Sequence, residues 1–331
     1  MKALVTGGGG YLGSAIIRAL LARGEEVASL QRGSYPWLAR AGVQVFTGDI
    51  ADRETTIRAS EDCDVVYHVA GKTGVWGGYR DYHHTNVTGT ECVIEACHAN
   101  GVPRLVYTST PSVVFNGKDE AGVNESIAYP ASFFNNYQKT KSLAEQIVLA
   151  ANSGSLATVA LRPHLIWGPD DPHLIGRIRE RALSGRLRLV KGDKLVDTTY
   201  IDNAALAHIQ AADSLDRTGQ CAGKVYFISN GEPVRLNEMI NNILAAYHIP
   251  PVTRTITPGL AYLAGALSES VYSLFRINKE PMLTRFVARQ LSCAHWYDIS
   301  AARNDLGYTP GVSIAEGLRR LNPATPRDID R

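Results

Sequence analysis

The sequence predicts an α/β protein, a doubly wound parallel sheet with helices on both faces and a smaller C-terminal substrate domain. Two observations predict it. Short β-branched runs alternate with helical patterns through the first half of the chain, and a glycine-rich turn, TGGGGYLG at 6–13, joins the first strand to the first helix. Repeated strand-then-helix order implies parallel pairing, because a parallel neighbour is reached only by a long crossover above one face of the sheet.

Taken in order, residues 2–6 (KALVT) read as a strand, 11–23 as a helix, and 27–31 and 43–47 (VQVFT) as strands. Strand 64–69 (DVVYHV), helix 84–99, strand 104–109 (RLVYTS), helix 133–151 and strand 156–162 follow. After Arg162-Pro163 the pattern breaks into loops, short helices and isolated strands at 197–201 and 224–229. The expected division is a dinucleotide-binding domain over 1–165, to which 195–230 returns. A substrate domain spans 166–194 and 231–321, and a polar tail covers 322–331. Residues 255–268 (TITPGLAYLAGALS) carry no charge, and 270–275 continue apolar. A bilayer span needs about 20 apolar residues, so no transmembrane span is predicted. A buried helix is expected there; a lid over an apolar substrate or a peripheral membrane contact is the alternative.

Composition excludes several classes. With 331 residues the chain can bury a large core. A net charge of +2, with basic residues scattered among acids, excludes a nucleic-acid footprint. The locally basic segment 177–191 reads as a solvated helix face or as attraction for an anionic substrate head. Five cysteines show no C-x-x-C pair and no ligand spacing with the nine histidines, so no metal site is expected. Met1-Lys2 leads directly into a strand-like run without a leader pattern, and a cytoplasmic location is expected, with membrane association left open for the 255–275 stretch.

The glycine turn is the first chemical signal. Gly7, Gly10 and Gly13 have the spacing in which one glycine turns the chain, one admits a pyrophosphate and one lets helix pack on strand. Tyr11 and Leu12 open the helix, whose free N–H groups and positive dipole end would face the phosphates. An acid closing the second strand would bond the ribose of NAD; Gln31-Arg32-Gly33-Ser34 stands there instead. The Arg32 guanidinium suits a 2′-phosphate, so NADP(H) is the expected cofactor; the alternative is that Arg32 stacks on adenine and both cofactors serve. Asp49 and Ile50 are placed at the adenine edge, and Ala70, in Val69-Ala70-Gly71, where the cofactor lies close to backbone.

The second signal is acid–base. Of fifteen tyrosines, Tyr137 alone has a lysine four residues on, Lys141. With nine lysines, about 0.4 such pairs arise by chance, so position decides. The pair shares one face of a helix after the fifth strand, at the end of the sheet where ligands bind. A phenol has a pKa of about 10, and a nearby ammonium would pull it toward neutrality for proton transfer to a ketone. Thr108, Ser109, Thr110 and Ser112 supply hydroxyls for the developing alkoxide, or cap the strand end.

TGGGGYLG, this hydroxyl cluster, YQKTK at 137–141 and RPHLIWGP at 162–169 together resemble the extended short-chain dehydrogenases. RPHLIWGPDDPHL (162–174) and LVDTTYIDNAALAH (195–208) are similar to the 3β-hydroxysteroid and sterol-4-carboxylate dehydrogenase branch. AGKTGVWGGYRDYHHTNVTGT (70–90), YTSTPSVVF (107–115) and SCAHWYDIS (292–300) resemble the bacterial 2-alkyl-3-oxoalkanoate reductases of head-to-head olefin biosynthesis. The resemblance implies NADPH-linked reduction of a long-chain β-keto acid, whose hydroxy product a neighbouring enzyme closes to a β-lactone. It implies Tyr137 as general acid, Lys141 as its partner and Thr110 at the usual serine position, with Ser109 and Ser112 as alternatives. It further implies Pro163 at the nicotinamide end, Asn86 supporting the loop after the fourth strand, a homodimer through 84–99 and 133–151, and a complex with other enzymes of olefin synthesis. An apolar wall from 255–275, an aromatic wall at Val75-Trp76, and Lys72 or His164 at the substrate carboxylate would suit that substrate. A steroid or sterol dehydrogenase, a nucleotide-sugar epimerase or dehydratase and a non-catalytic dinucleotide sensor are the rival readings.

Overall fold

In the computed structural model, which describes residues 1–322, seven parallel strands form the main sheet. They are β1 (Lys2–Thr6), β2 (Glu26–Gln31), β3 (Gln44–Thr47), β4 (Val65–His68), β5 (Arg104–Thr108), β6 (Ala157–Pro163) and β7 (Lys224–Ile228), in spatial order 7-6-5-4-1-2-3. Eight helices matter below: α1 (Tyr11–Ala22), α2 (Gly89–Asn100), α3 (Asn136–Ala150), α4 (Leu174–Leu183), α5 (Ile201–Arg217), α6 (Leu236–Ala246), α7 (Pro258–Leu274) and α8 (Arg285–Gln290). The strand order reverses between β1 and β4, where the first crossovers leave in opposite directions and open a crevice at the strands' C-terminal ends.

Alternation along the strands builds two cores. Ala3 and Val5 of β1 pack with Ile16, Ile17 and Leu20 of α1 on one face. Leu4, between them, points to the other face and joins Val93 and Cys97 of α2 and Val148 of α3. Both faces are therefore apolar, as a sheet covered by helices on both sides requires. Burying each of the valine, leucine and isoleucine side chains among these contributes about 1.5–3 kcal/mol, and a one-residue slip of register would exchange the faces.

The strand and helix boundaries follow the sequence reading closely, with three differences. The helix expected at 84–99 begins earlier, as a turn at Tyr79–His83, and passes through a π-helical turn at His84–Thr88 before α2. The helix expected from 133 starts at Asn136, because the Asn135 side chain caps it by accepting from Gln138 N at 2.8 Å. The strand expected at 197–201 is extended only over Thr199–Tyr200, and Ile201 already opens α5. The proposed tail lies, apart from Asn322, outside the described residues.

The later chain adds a second sheet, in which Glu120–Val123, His295–Tyr297, Leu195–Val196 and Val234–Arg235 lie side by side, and a two-stranded pair of Leu189–Val190 with Thr255–Ile256. The expectation that 255–268 is a buried helix is overturned. Only Ala261 and Gly265 of α7 are buried, while its leucines stand in solvent, because the small residues supply the side that packs on α8. No helix of the described residues is long and apolar enough to cross a membrane.

Two carboxyls are buried in the second sheet. Burial raises Glu120 from 4.5 to about 7, against a hydrogen bond from Tyr297 Oη at 2.9 Å, and raises Asp197 from 3.8 to about 6. A carboxyl whose folded value is raised holds its proton longer in the folded state, so stability falls as pH climbs from about 4.5 to about 7. Glu120→Gln should therefore gain, relative to the parent, on the order of 3 kcal/mol between about pH 5 and about pH 8 in urea unfolding. Parallel curves for parent and variant would show that Glu120 is ionised in the fold.

Candidate active site

A cavity of about 930 Å³ runs along the C-terminal ends of the strands and on between the later helices. Gly7, Gly10, Tyr11, Leu12, Gly13, Arg32, Asp49, Ile50, Ala70, Thr108, Thr110, Tyr137 and Pro163 all line it. Lys141 does not line it and stands behind Thr108. Ser109 is in the wall and Ser112 is not.

At one end the glycine turn leaves room that side chains would fill. Gly7 has φ +72°, and a Cβ there would touch the Ala70 backbone at 3.0 Å. A Cβ on Gly13 would collide with the Gly7 carbonyl oxygen. Gly10 caps α1 without a side-chain acceptor, so the helix presents N–H groups to the cavity. Arg32 closes this end without an ion pair among the described residues, and also lines a smaller adjoining cavity with Lys72, Arg80 and His84. Lys72 is 3.7 Å from Asp81 and His84 is 3.3 Å from Asp49, so neither Arg32 nor Arg80 has an ion pair among the described residues, and Arg32 meets only the longer-range charge of Asp49. Burial opposes ionisation of Asp49, but the Ala51 N–H, His84 and Arg32 outweigh it and hold its carboxyl below the ordinary value.

The loop after β4 is held by a chain of hydrogen bonds whose directions are fixed. Thr90 Oγ1 donates to Asn86 O at 2.7 Å, so it accepts from His68 Nε2 at 2.9 Å. His68 Nδ1 is then the acceptor for Thr6 Oγ1 at 2.9 Å, which in turn accepts from Val69 N and Ala70 N, each at 3.1 Å. Burial, with the nearby Lys141 charge, pushes His68 down to about 3 and keeps it neutral. Asn86, inside the π-turn, bonds both backbone groups of Lys72 and donates to Thr140 on α3. A single-turn π-helix is a frequent mark of a functional site.

The acid–base group differs from expectation. Lys141 Nζ donates to Thr108 O at 2.6 Å and lies 4.2 Å over the Tyr107 ring. Burial lowers it to about 7, against the favourable charge of Glu145. The Tyr137 phenol is raised by burial and drawn back only by a hydrogen bond with Thr110; the expected lowering by Lys141 is absent, because the ammonium is directed at the β5 carbonyl. Among the hydroxyls, Thr110 is the one bonded with Tyr137, while Ser109 Oγ is buried without a partner and Ser112 bonds back to Thr110.

Beyond Tyr137 the wall becomes largely aliphatic, with Leu165, Leu174, Ile178, Leu189, Met239, Ile240, Ile243, Val287 and Leu291, but Arg177, Arg181 and Arg188 of the locally basic 177–191 segment line it too, so that segment is not only a solvated helix face. None of 255–275 lines it, so the expected wall from that stretch is supplied by α4, α6 and α8 instead. Val75 is in the wall, but Trp76 is turned away, donating Nε1 to Ile277 O at 3.0 Å. Lys72 faces the smaller cavity. His164 is buried and donates Nε2 to His295 Nδ1 at 2.6 Å, since His295 Nε2 must donate to Gln290 O. Burial lowers both rings, His295 to about 4, so neither offers a carboxylate a positive charge near neutrality. Three features escaped the sequence reading. His295 lines the cavity and bonds His164, 131 positions earlier in the chain. Leu165 lines it at φ +43°, a region leucine rarely adopts. Asp171 caps α4 by accepting from His173 N, Leu174 N and Ile175 N, a role that an acid just ahead of an amphipathic helix could have announced.

A model of the 3-beta hydroxysteroid dehydrogenase/isomerase family matches residues 4–256. The chain belongs to that family. It is therefore an oxidoreductase of the extended short-chain dehydrogenase type. It is 51% identical to 2-alkyl-3-oxoalkanoate reductase of Shewanella oneidensis, over 96% of this chain and 85% of that protein. It is equally 51% identical to the Stenotrophomonas maltophilia protein of that name, over 98% of this chain and 99% of the other. A 3-beta-hydroxysteroid dehydrogenase of Mycolicibacterium neoaurum is 31% identical over 97% of this chain and 90% of its own. Among solved structures, UDP-glucose 4-epimerase of Thermus thermophilus in complex with NAD superposes with TM-score 0.73 at 25% identity, covering 98% of this chain and all of the other. UDP-glucuronic acid 4-epimerase of Bacillus cereus gives 0.74 at 23% identity over 97% of each chain, a likeness of fold.

Gly13→Ala tests the turn directly. The added methyl has no space against the Gly7 carbonyl, so dinucleotide affinity should fall by at least about ten-fold in a fluorescence titration. Unchanged affinity would place the dinucleotide elsewhere.

Proposed function

We propose that this chain reduces a long-chain 2-alkyl-3-oxoalkanoate to the 2-alkyl-3-hydroxyalkanoate with NADPH, as a step of hydrocarbon biosynthesis. The observation that carries the reading is the continuity of one cavity. The Tyr137–Thr110 hydroxyl pair stands between a phosphate-suited glycine turn and an apolar chamber with room for alkyl chains. The two relatives at 51% identity carry the name of that activity.

Residues 1–165 with 195–230 form the dinucleotide-binding part, and 166–194 with 231–321 the substrate part. Gly7, Gly10, Tyr11, Leu12 and Gly13 would hold the pyrophosphate, and Asp49, Ile50 and Ala70 the adenosine. Thr108, Lys141 and Pro163 would hold the nicotinamide end. Arg32 would meet the 2′-phosphate, supported by the uncompensated Arg80 across the smaller cavity. A bound nicotinamide cofactor supplies the hydride. Tyr137 gives its phenolic proton to the keto oxygen while Thr110 hydrogen-bonds the same oxygen and steadies the growing negative charge. A phenol raised by burial is fully protonated near neutrality, as a general acid must be. Lys141, one turn along α3, donates to the Thr108 carbonyl in the free protein; turned to the ribose of a bound cofactor, it would bring its charge beside the phenolate left behind, and solvent restores the proton. The apolar walls exclude water and take the alkyl chains. The chain acts as a homodimer through 84–99 and 133–151, beside the enzymes that make and consume its acids.

The deciding assay follows NADPH oxidation with long- and short-chain 2-alkyl-3-oxo acids, beside steroids and UDP-sugars. Turnover of a steroid or sugar nucleotide, with none of the β-keto acids, would sink the reading. Tyr137→Phe should lower kcat by about a hundredfold or more and leave NADPH affinity within about three-fold. Arg32→Ala should remove most of the preference of kcat/KM for NADPH over NADH; equal preference in parent and variant would refute the phosphate role. Because Lys141 is charged only below about 7 in the free protein, kcat/KM for reduction should decline as pH rises through that value. A flat profile would mean that its charge is not required.

A further inference from the structure

Helix α7 has its large and small residues on the unexpected sides. Ala261 and Gly265 face the protein, and a Cβ on Gly265 would come within 2.6 Å of the Thr284 carbonyl carbon, so the helix sits as close as backbone permits. Leu260, Leu263, Leu267, Val271 and Leu274 recur at three- and four-residue spacing and are 48–77% exposed. Single exposed leucines are ordinary, but four leucines and a valine along one helix face make a patch that water disfavours.

The charges around the patch indicate what covers it. Glu269, the one charged residue within α7, is turned to the protein, accepting from Arg285 N at 2.7 Å and Arg285 Nε at 2.6 Å. Glu280 is likewise taken up by Arg177. Arg254, Arg276 and Lys279 flank the helix, are exposed and have no ion pair among the described residues. The neighbourhood thus offers aliphatic side chains and uncompensated positive charge, with its acids withdrawn.

The patch also adjoins the cavity. Thr255–Ile256, which leads into α7, pairs with Leu189–Val190 in the cavity wall. The helix α8 on which α7 is seated lines the same cavity with Val287 and Gln290. The segment after α7 is tied to the loop beyond β4 through Trp76 and Ile277.

We propose that the exposed face of α7 docks on the surface of a lipid bilayer containing anionic headgroups. The leucines enter the acyl boundary and Arg254, Arg276 and Lys279 meet the phosphates, so an apolar substrate reaches the cavity without crossing water. The purpose of the docking rests on the long-chain substrate reading above, while the docking itself does not. A cover from the chain's own last nine residues is a poor fit, since they carry one large aliphatic side chain, Ile329.

The test is co-sedimentation of the full chain with vesicles of equal phosphatidylcholine and phosphatidylglycerol, and with vesicles of phosphatidylcholine alone. The parent should partition to the anionic vesicles at least about ten-fold more strongly, and Leu263→Glu/Leu267→Glu should abolish this. The variant should keep the parent's kcat/KM on a short-chain 2-alkyl-3-oxo acid in solution and its mass by light scattering. A parent that stays in the supernatant with anionic vesicles, or a variant that pellets as the parent does, overturns the proposal. So does a variant whose oligomeric mass falls, which would make this face an interface between copies. Sedimentation as expected with no turnover of any 2-alkyl-3-oxo acid would overturn the substrate reading and uphold the docking.

Discussion

Glu145 and Arg162 face each other with almost no access to water, at 0% and 2% exposure, joined by hydrogen bonds of 2.6 and 3.0 Å. Tyr129 donates to the same carboxylate at 2.6 Å, and the guanidinium lies 5.2 Å over the Phe227 ring of β7. Removing one partner would leave a lone buried charge, at a cost of about 3–5 kcal/mol. The pair fixes more than stability. Tyr137, Lys141 and Glu145 are spaced four apart on α3, so pinning Glu145 to β6 sets the rotation of the helix that carries the candidate acid. Arg162 is followed by Pro163, which lines the cavity, so the same contact places both lips of the site. The Glu145 charge also offsets part of the burial that drives Lys141 toward neutrality.

A second constraint holds the opposite lip. The chain from Thr6 through His68 and Thr90 to Asn86 permits one tautomer only, because each hydroxyl has its donor already committed. A buried network satisfied in this way specifies a single geometry, since any rotation leaves an unpaired polar group in low dielectric. It holds the backbone at Val69 and Ala70 beside the glycine turn, and Asn86 carries the restraint across to α3. The two constraints meet at the Tyr137–Thr110 pair. One end of the cavity is thus built from backbone, free N–H groups and the Arg32 guanidinium, and the other mainly from aliphatic side chains on α4, α6 and α8, together with Arg177, Arg181 and Arg188. A polar head and an apolar body of one reacting complex would be separated by that division.

The sheet and the glycine turn were legible because their signals are local. A period of two or of 3.6 appears in any short window, and a turn that must admit a phosphate excludes side chains at Gly7 and Gly13 wherever the rest of the chain goes. The Tyr137/Lys141 spacing was equally plain, as was Arg32 at the end of β2. What misled was direction. Periodicity shows that a helix has two sides without saying which one meets water. The uncharged 255–268 stretch therefore read as buried, although Ala261 and Gly265 are its inward face and its leucines look out.

By itself, then, the sequence determined the architecture, the phosphate-suited turn, the candidate acid with its lysine, and the family to which these residues belong. Only the tertiary structure decided where Lys141 points, that Thr110 rather than Ser109 or Ser112 bonds the phenol, and which helices wall the apolar chamber. It also turned His164 from a candidate carboxylate contact into a neutral partner of His295. The reason is physical. These outcomes depend on contacts between residues scores of positions apart and on how far each group is withdrawn from water, and neither quantity is carried by the spacing of residues along the chain.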